Sequence, residues 1–277
     1  MISLILILFI GISCSQQKDE RITKLSQLKN KRISILTGTA GDIASRKRFP
    51  DAQFIDFYAT TDAAYNVKIG KSEAFVFDEV VLRNIAGKYP GLTLIDEPVA
   101  SVDIAVAFPH ERIVLLEKVN NVIRQMRKKG TLQAMKQKWI DSEYQKVPDL
   151  PDWEFEFTED TTVWVRNGFY YNTLPEMSAD SVENALKVGI SAQFEPMMFV
   201  SNNKFTGFDM ELALRIGKLL NRKIEFVDGS FDSLILSLQA EKIDFAISNF
   251  EITEPRKEFM SFSEPYLVQD ISALVKK

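Results

Sequence analysis

The hydrophobic positions of this chain form short runs rich in β-branched residues, and these runs alternate with segments of helical spacing. The runs predict strands, and the 3.6-residue spacing predicts helices between them. Strands are predicted at residues 32–36, 54–58, 74–77, 92–95, 102–108, 186–190, 224–227 and 243–247. Helices are predicted at residues 43–47, 60–69, 80–89, 208–220 and 230–240. The alternation predicts an α/β protein with mixed, mostly parallel sheets flanked by helices.

Three polar residues are candidates for the N-cap positions of two of these helices. We expect Thr60 or Thr61 to begin the second helix and Asp209 to begin the fourth. Their oxygen atoms can accept hydrogen bonds from the N–H groups that a helix N-terminus leaves free.

Two segments depart from the alternation. Residues 112–140 are amphipathic and are interrupted at Gly130 and Thr131, which predicts two consecutive helices. Residues 146–184 contain several prolines and aromatic stretches of period two, and we interpret them as an extended linker that packs in part. The chain therefore divides into one half at residues 22–145, the linker, and a second half at residues 185–277.

The composition narrows the classes of function. The 277 residues are 45% apolar and 26% charged, which is typical of globular proteins with one large or two modest cores. The net charge of −4 and the lack of a long basic run give no sign of nucleic-acid binding. Cys14 and His110 are the one cysteine and the one histidine, so the sequence predicts neither an internal disulfide, a metal site nor a cofactor. His110 lies before a predicted helix, and we expect it at the surface.

The N-terminus carries a candidate export signal. Residues 2–12 form an apolar run of about eleven residues, which is too short to span a bilayer. Small residues then precede Cys14, and this pattern resembles a bacterial lipoprotein signal in which Cys14 is lipidated. No Lys or Arg precedes the run, and an ordinary cleaved signal or a disordered start is the alternative. We expect residues 1–14 to direct the protein to the periplasm, where a lipid would anchor it to the membrane.

Two turns of the chain have the chemistry of anion sites. Residues 243–266 contain an apolar strand, a polar turn and then Arg256, whose guanidinium suits a carboxylate. Ligands in open α/β sheets bind at the carboxyl ends of strands, where backbone N–H groups are free. Residues 37–42 join another strand to a helix N-terminus and offer a second such place. Both predict capture of a small anion, with solvated surface turns as the alternative.

Several motifs resemble those of the family 3 periplasmic solute-binding proteins, the polar amino-acid receptors of ABC importers. The motifs are Gly38-Thr39, Phe77-Asp78, Gly130-Thr131, Phe194-Glu-Pro196, Gly207-Phe-Asp209, Phe231-Asp-Ser-Leu234, Ile252-Thr-Glu-Pro-Arg256 and Phe262-Ser-Glu-Pro-Tyr266. The resemblance implies a type II periplasmic binding fold, in which a ligand cleft lies between two α/β lobes. It also implies an extracytoplasmic binding protein, not an enzyme, that captures a polar amino acid for an ABC permease.

The order of the halves differs from that of the family. Family members run from lobe 1 to lobe 2, whereas residues 22–145 resemble lobe 2 and residues 185–277 resemble lobe 1. The chain is either circularly permuted, with residues 146–184 joining two lobes of one cleft, or a part of a tandem array. We favour the permuted arrangement, because the signal lies directly before the half that resembles lobe 2.

The resemblance implies roles for individual polar residues. Arg256 would bind the α-carboxylate of an amino acid, and Thr39 and the backbone N–H of Ala40 would bind it from the other lobe. Asp78 would bind the α-ammonium group, and Asn249 would complete the polar shell. Helix capping is the alternative role for Thr39 and for Asp78.

Four further residues concern the ligand's side chain and the chemistry of the cleft. Phe194 and Phe231 would enclose that side chain, although aromatic residues at such positions also form cores. Glu251 stands where the family usually has Ser or Thr, and it could either join Asp78 at the ammonium or point away. Ser191 stands where receptors for basic amino acids carry an acid, which does not favour a long cationic side chain. The identity of the ligand stays open.

Three other functions are alternatives for this fold. A dehydratase-like enzyme would need a general acid–base pair, for which Asp78 and Glu251 are the candidates. A periplasmic sensor module of a kinase would need a transmembrane helix, and the sensor half of a lytic transglycosylase would need a lysozyme-like domain. The sequence favours the binding protein over all three.

Overall fold

A computed structural model describes residues 21–141, 163–166, 169–172, 185–201 and 204–277. The predicted signal at residues 1–14, with Cys14, and most of the predicted linker lie outside the described residues; two strands of the linker are described. The strands are β1 (Arg32–Leu36), β2 (Gln53–Phe57), β3 (Ala74–Asp78), β4 (Leu92–Leu94), β5 (Ala100–Ile104), β6 (Ala107–Phe108), β7 (Val163–Arg166), β8 (Phe169–Asn172), β9 (Leu186–Ile190), β10 (Phe199–Ser201), β11 (Lys204–Thr206), β12 (Ile224–Asp228), β13 (Phe245–Ala246), β14 (Ser261–Phe262) and β15 (Leu267–Lys276). The helices are α1 (Ala40–Arg48), α2 (Thr60–Lys68), α3 (Glu79–Lys88), α4 (Ile113–Lys128), α5 (Thr131–Lys136), α6 (Phe208–Leu219), α7 (Phe231–Gln239) and α8 (Glu254–Lys257).

The first sheet has the strand order β2-β1-β3-β15-β4, and β5 also pairs with β15. Strands β2, β1 and β3 are parallel, as expected for strands joined through helices α1 and α2. Strand β15 runs antiparallel to β3, β4 and β5. This sheet and its flanking helices are called the first lobe below.

The second sheet has the strand order β14-β6-β13-β9-β12-β8-β7. Its central strands β13, β9 and β12 are parallel. On one side β6 pairs antiparallel with β13 and β14 pairs antiparallel with β6. On the other side β8 pairs antiparallel with β12 and β7 pairs antiparallel with β8. This sheet with its helices is the second lobe.

The prediction of an α/β protein with mixed sheets flanked by helices is confirmed. The expectation that the sheets are mostly parallel is wrong, because among the described strands antiparallel pairs outnumber parallel ones. Strands β15, β6 and β8 pair antiparallel with their neighbours, which needs no crossover helix.

Each lobe contains strands from both halves of the chain. Strand β15 comes from the second half and lies inside the first sheet, while β6 comes from the first half and lies inside the second sheet. The chain crosses between lobes at Ala105–Val106 and again at Ser263–Tyr266. The crossings are hydrogen-bonded to each other, since Ser263 N donates to Val106 O at 2.9 Å and Tyr266 N to Ile104 O at 2.9 Å.

Three local predictions were wrong. Residues 102–108 are not one strand, because β5 ends at Ile104 in one sheet and β6 begins at Ala107 in the other. Helix α2 has Ala59 as its N-cap residue, so neither Thr60 nor Thr61 holds that position.

Asp209 is likewise not a cap. It lies inside α6, after the N-cap residue Gly207, and its carboxylate accepts from the N–H of Asn249 and the hydroxyl of Tyr266 instead. The predicted break in the long amphipathic segment is confirmed, because α4 ends at Lys128 and α5 begins after Gly130.

A buried charge cluster joins the residues after α5 to helix α6. The Glu211 carboxylate is 2% exposed and accepts from Arg215 through Nε at 3.0 Å and Nη2 at 2.9 Å. Its second oxygen accepts from Lys138 Nζ at 2.9 Å and Trp139 Nε1 at 2.8 Å. The helices that follow β6 are therefore fixed to the second lobe. None of the helices in the described ranges has the length and apolar character needed to cross a bilayer.

Candidate functional site

The residues singled out from the sequence meet where the two lobes face each other. Asp78 ends strand β3, and Thr39 and Ala40 begin helix α1, all at the carboxyl edge of the first sheet. Asn249 and Glu251 follow β13 at the carboxyl edge of the second sheet. Ligands of open α/β sheets bind at this edge, so the facing edges of the two lobes form the candidate site.

Arg256 and Glu251 form a buried ion pair at one end of this site. Their side chains are 7% and 2% exposed, and Arg256 Nη1 donates to Glu251 Oε2. The same Nη1 donates to the backbone oxygen of Glu251 at 2.9 Å. The other carboxylate oxygen, Oε1, accepts from the N–H of Ala40 in the first lobe at 3.2 Å. Glu251 therefore points into the site and not away from it.

The turn before α1 presents a carbonyl to Arg256. Gly38 has φ of +75°, a conformation that favours glycine, and its carbonyl accepts from Arg256 Nη2 at 3.0 Å. Thr39 takes the capping role, because its hydroxyl accepts from Asp42 N at 3.3 Å and donates to Leu36 O at 2.8 Å. The hydroxyl of Thr39 is thus committed to its own lobe.

A second polar network lies around Asp78. Asn249 Nδ2 donates to Asp78 Oδ2, and Gln269 Nε2 donates to Asn249 Oδ1 at 3.1 Å. Asp78 is 1% exposed, and its Oδ1 atom has no hydrogen-bond partner. Asp78 is the N-cap residue of α3, as the alternative expected, but its side chain makes no capping hydrogen bond and faces Asn249 instead.

Behind Asn249 a third carboxylate is buried. Asp209 accepts from Asn249 N at 2.6 Å and from Tyr266 Oη at 2.7 Å. Asn249 has a positive φ of 55°. The backbone of Asn249 is therefore held by Asp209 while its side chain faces Asp78.

The burial of these acids changes their proton affinity. Desolvation raises the pKa of Asp78 well above its usual range, and the negative charge of Glu251 raises it further, while Arg256 and the Asn249 hydrogen bond oppose the rise. Desolvation also raises the pKa of Asp209 to about 7, against the opposing hydrogen bonds from Tyr266 and Asn249. The pKa of the Tyr266 hydroxyl rises because of burial and the adjacent Asp209. A bound cation near Asp78 would favour its ionised form.

Aromatic rings form one wall of the site. The Phe194 ring stacks on Phe77 at 5.8 Å and meets the edge of Phe231 at 5.9 Å. Phe231 stacks on Phe250 at 4.5 Å, and the Arg256 guanidinium lies over Phe231 at 4.8 Å from the ring centre. In this arrangement Phe194 and Phe231 contact each other directly.

A cavity of about 80 Å³ opens beside these rings between the lobes. Its lining comes from both lobes and consists of Leu36, Thr37, Thr39, Phe57, Tyr58, Gln193, Phe194, Ser230, Phe231 and Asp232. Phe194 and Phe231 are therefore core contacts on one side and cavity walls on the other.

Ser191 and His110 differ in their relation to the site. Ser191 is buried and exchanges hydrogen bonds with Ser248, whose hydroxyl accepts from Ser191 N at 3.0 Å and donates to Ser191 O at 2.9 Å. Gln193 Nε2 donates to the Ser191 hydroxyl at 2.9 Å. His110 is exposed, as predicted, and lies near Ser261 outside the site.

Sequence reasoning did not assign four residues of this site. Asp209 and Gln269 contact Asn249, Phe250 stacks on Phe231, and Tyr266 contacts Asp209. Asp209 and Tyr266 stand in the Gly207-Phe-Asp209 and Phe262–Tyr266 motifs, so these motifs were the signal that could have led to them.

Comparison with known proteins finds a family match in the second half of the chain. Residues 186–277 match the model of the bacterial extracellular solute-binding proteins, family 3. The matched residues are similar to that family and make up about a third of the chain. The members of the family act outside the cytoplasm, and the match covers most of the second lobe, including Asp209, Asn249, Glu251 and Arg256.

Curated relatives match over a similar length. The ABC transporter arginine-binding protein 1 of Escherichia coli (strain K12) is 35% identical over 98 residues, covering 35% of this chain and 40% of that protein. A probable histidine-binding protein of Campylobacter jejuni is 36% identical over 98 residues, covering 34% and 38%. The L-cystine-binding protein TcyJ of Escherichia coli (strain K12) is 34% identical over 93 residues, covering 33% and 35%. The match thus spans no more than 40% of any of these three relatives, and all three are named as binding proteins.

Among solved structures, the arginine-bound form of domain 1 from TmArgBP is 37% identical, with a TM-score of 0.31. The match covers 36% of this chain and 86% of that one.

Proposed function

We propose that this chain is an extracytoplasmic receptor that captures a polar amino acid between its two lobes and delivers it to the permease of an ABC importer. One observation carries the proposal. Arg256, Asp78 and the N–H of Ala40 come from distant parts of the sequence and converge beside an aromatic wall and a cavity between the lobes. A zwitterion needs a cation and an anion at a fixed separation, and this arrangement supplies both.

The two halves of the chain would form one cleft in this proposal. The exchange of β15 and β6 between the sheets supports a circularly permuted arrangement over a tandem array, because each sheet needs strands from both halves. The predicted boundaries at residues 22–145, 146–184 and 185–277 stay predictions, as does the lipid anchor at Cys14. An anchored receptor would stay close to its permease, which fits the proposed role.

A binding role fits the carboxylates better than catalysis does. Both oxygens of Glu251 already accept hydrogen bonds, from Ala40 and from Arg256. A general base must be free to reach the proton that it abstracts. We therefore infer that the Asp78–Glu251 pair does not serve a dehydratase-like reaction, and we infer a non-enzymatic protein.

The proposal is tested by thermal unfolding of the purified full-length chain with each common amino acid. A ligand at about 100 times its Kd adds roughly 2.7 kcal/mol of stability, which raises Tm by a few degrees. Arg256→Ala and Asp78→Asn should each abolish the shift. Arg83→Ala removes an exposed arginine that pairs with Glu79 on α3, and it should keep the shift. A cooperative melt that no amino acid shifts would refute the proposal.

A further inference from the structure

Glu251 occupies a position that an amino-acid receptor would keep for its ligand. Its carboxylate, which is 2% exposed, receives Arg256 on one oxygen and the N–H of Ala40 on the other. These are the groups that would bind the ligand's α-carboxylate in the proposed function. A carboxylate of the protein therefore already accepts from Nη1 of Arg256 and from the N–H of Ala40, which a ligand carboxylate would also use.

The backbone around Glu251 is fixed, so this occupancy is not the result of a loose loop. Glu251 forms a β-bridge with Ile104 at the first crossing between the lobes. The flanking residues are held on either side, since Ala105 N donates to Phe250 O at 3.0 Å and Ile252 N donates to Asp103 O at 2.8 Å. Movement of the carboxylate must therefore come from side-chain rotation or from separation of the lobes.

The ammonium side of the site is in the opposite condition. Among the described residues, the buried side-chain atoms without a hydrogen-bond partner are Asp78 Oδ1, Gln269 Oε1 and Thr253 Oγ1. Gln269 Oε1 is an acceptor only, Asp78 Oδ1 is one while its carboxyl group is ionised, and both belong to the network around Asn249. A buried acceptor without a partner is costly, and a ligand N–H group would satisfy it. This side of the site therefore has acceptors that a ligand N–H group could satisfy, whereas the place of a ligand carboxylate is taken by Glu251.

We propose that Glu251 is an internal competitor that determines the specificity of the cleft. An amino acid binds only when its carboxylate displaces Glu251 from Arg256 and Ala40, whereas an amine without a carboxylate reaches Asp78 with Glu251 in place. The inference rests on the proposed function, because it assigns the ligand class of the same cleft. It predicts that wild-type protein discriminates less between amino acids and the matching amines than a protein without Glu251 does.

The experiment measures Kd by calorimetry for L-arginine, L-lysine and L-histidine and for their amines agmatine, cadaverine and histamine. Glu251→Ser removes the carboxylate, and Glu251→Gln keeps the shape but removes the charge. Glu254→Ser is the matched control, because Glu254 is 85% exposed and pairs only with Lys257 among the described contacts. Circular dichroism and Tm establish that each variant is folded.

We expect Glu251→Ser to bind at least one of the amino acids about tenfold to a hundredfold more tightly than wild type, the range that charge-assisted hydrogen bonds represent. The affinity for the matching amine should change less than about twofold, and Glu254→Ser should behave as wild type. If Glu251→Ser does not fold, Glu251→Gln carries the test and should show a smaller gain.

Two results would overturn the inference, and they differ in what else they affect. If wild type binds an amino acid and the folded Glu251 variant binds it no more tightly, Glu251 is not a competitor, and the proposed function stands. If neither wild type nor any variant binds one of these ligands, and no common amino acid shifts the thermal transition of wild type or of a Glu251 variant, the proposed function fails and the inference fails with it.

Discussion

The buried carboxyl group of Asp209 should make the stability of the protein depend on pH. Its pKa is about 7 in the folded protein, compared with 3.8 for an exposed aspartate. A raised folded pKa means that the folded state holds the proton more tightly than the unfolded chain does. The stabilisation is complete below about pH 4 and is lost as the pH rises through 7. Since each pH unit corresponds to about 1.4 kcal/mol, Asp209 alone would lower the free energy of unfolding by about 4 kcal/mol over this interval.

Asp209→Asn tests this expectation, because an asparagine stays neutral at every pH used. Its amide nitrogen will meet one of the donors from Asn249 and Tyr266, so we expect the variant to be about 1–3 kcal/mol less stable than wild type near pH 4. Near pH 8 that difference should shrink or reverse. The assay is urea unfolding at several pH values, with free energies extrapolated to water.

The comparison between variants isolates Asp209 from other acids. Burial raises the pKa of Asp78 in the same direction, whereas the ion pair and hydrogen bonds with Arg32 lower the pKa of Glu73. Both contributions are present in wild type and in Asp209→Asn alike, so they cancel in the difference. Asp62→Asn removes an exposed carboxyl of α2 and controls for the loss of one charge. Equal pH dependence in wild type and Asp209→Asn would refute the reasoning.

Three further substitutions test the packing that holds the site. Gly207→Ala should lower the free energy of unfolding by about 2–4 kcal/mol, because φ at Gly207 is +123° and a Cβ atom would collide with the carbonyl group of Met197. A urea midpoint equal to that of wild type would contradict this. Glu211→Gln should cost about 3 kcal/mol by removing the buried charge that accepts from Arg215, Lys138 and Trp139, and Tm should fall accordingly. Glu117→Gln changes an exposed side chain of α4 and should leave Tm unchanged. Ser248→Ala should cost about 1–3 kcal/mol because Ser191 N loses its acceptor, and faster amide exchange at Ser191 would report the loss; unchanged exchange there would show that another acceptor replaces the hydroxyl.

Local patterns predicted the elements of this fold well, because hydrophobic spacing depends on which face of each element is buried. The strand at residues 32–36 and the helix break at Gly130 are found as predicted. The same patterns predict no strand at residues 267–276, and they could not place β15 between β3 and β5, since pairing across most of the chain leaves no local signal. They also merged β5 with β6, because the crossing residues Ala105 and Val106 are as buried as the strands they connect.

The site shows the same division. The residue types and the motifs predicted Arg256 and Asp78 as site residues, and the structure places both between the lobes. Asp209 was read as a helix cap because its sequence neighbours favour that role, and only the tertiary structure brings Tyr266 and Asn249 to it. The orientation of Glu251 was left open for the same reason: its partner Ala40 is far away in sequence.

The position of β15 has a consequence for biosynthesis. Residues 267–276 follow all the other strands, yet they pair with three strands of the first sheet. That sheet therefore exposes the open edge of β3 throughout translation, until its final partner emerges. A nascent chain in this condition stays loosely folded and aggregation-prone, and it would depend on chaperones that shield unpaired strands. Under the proposed extracytoplasmic function, such late completion would help an export route that takes unfolded chains.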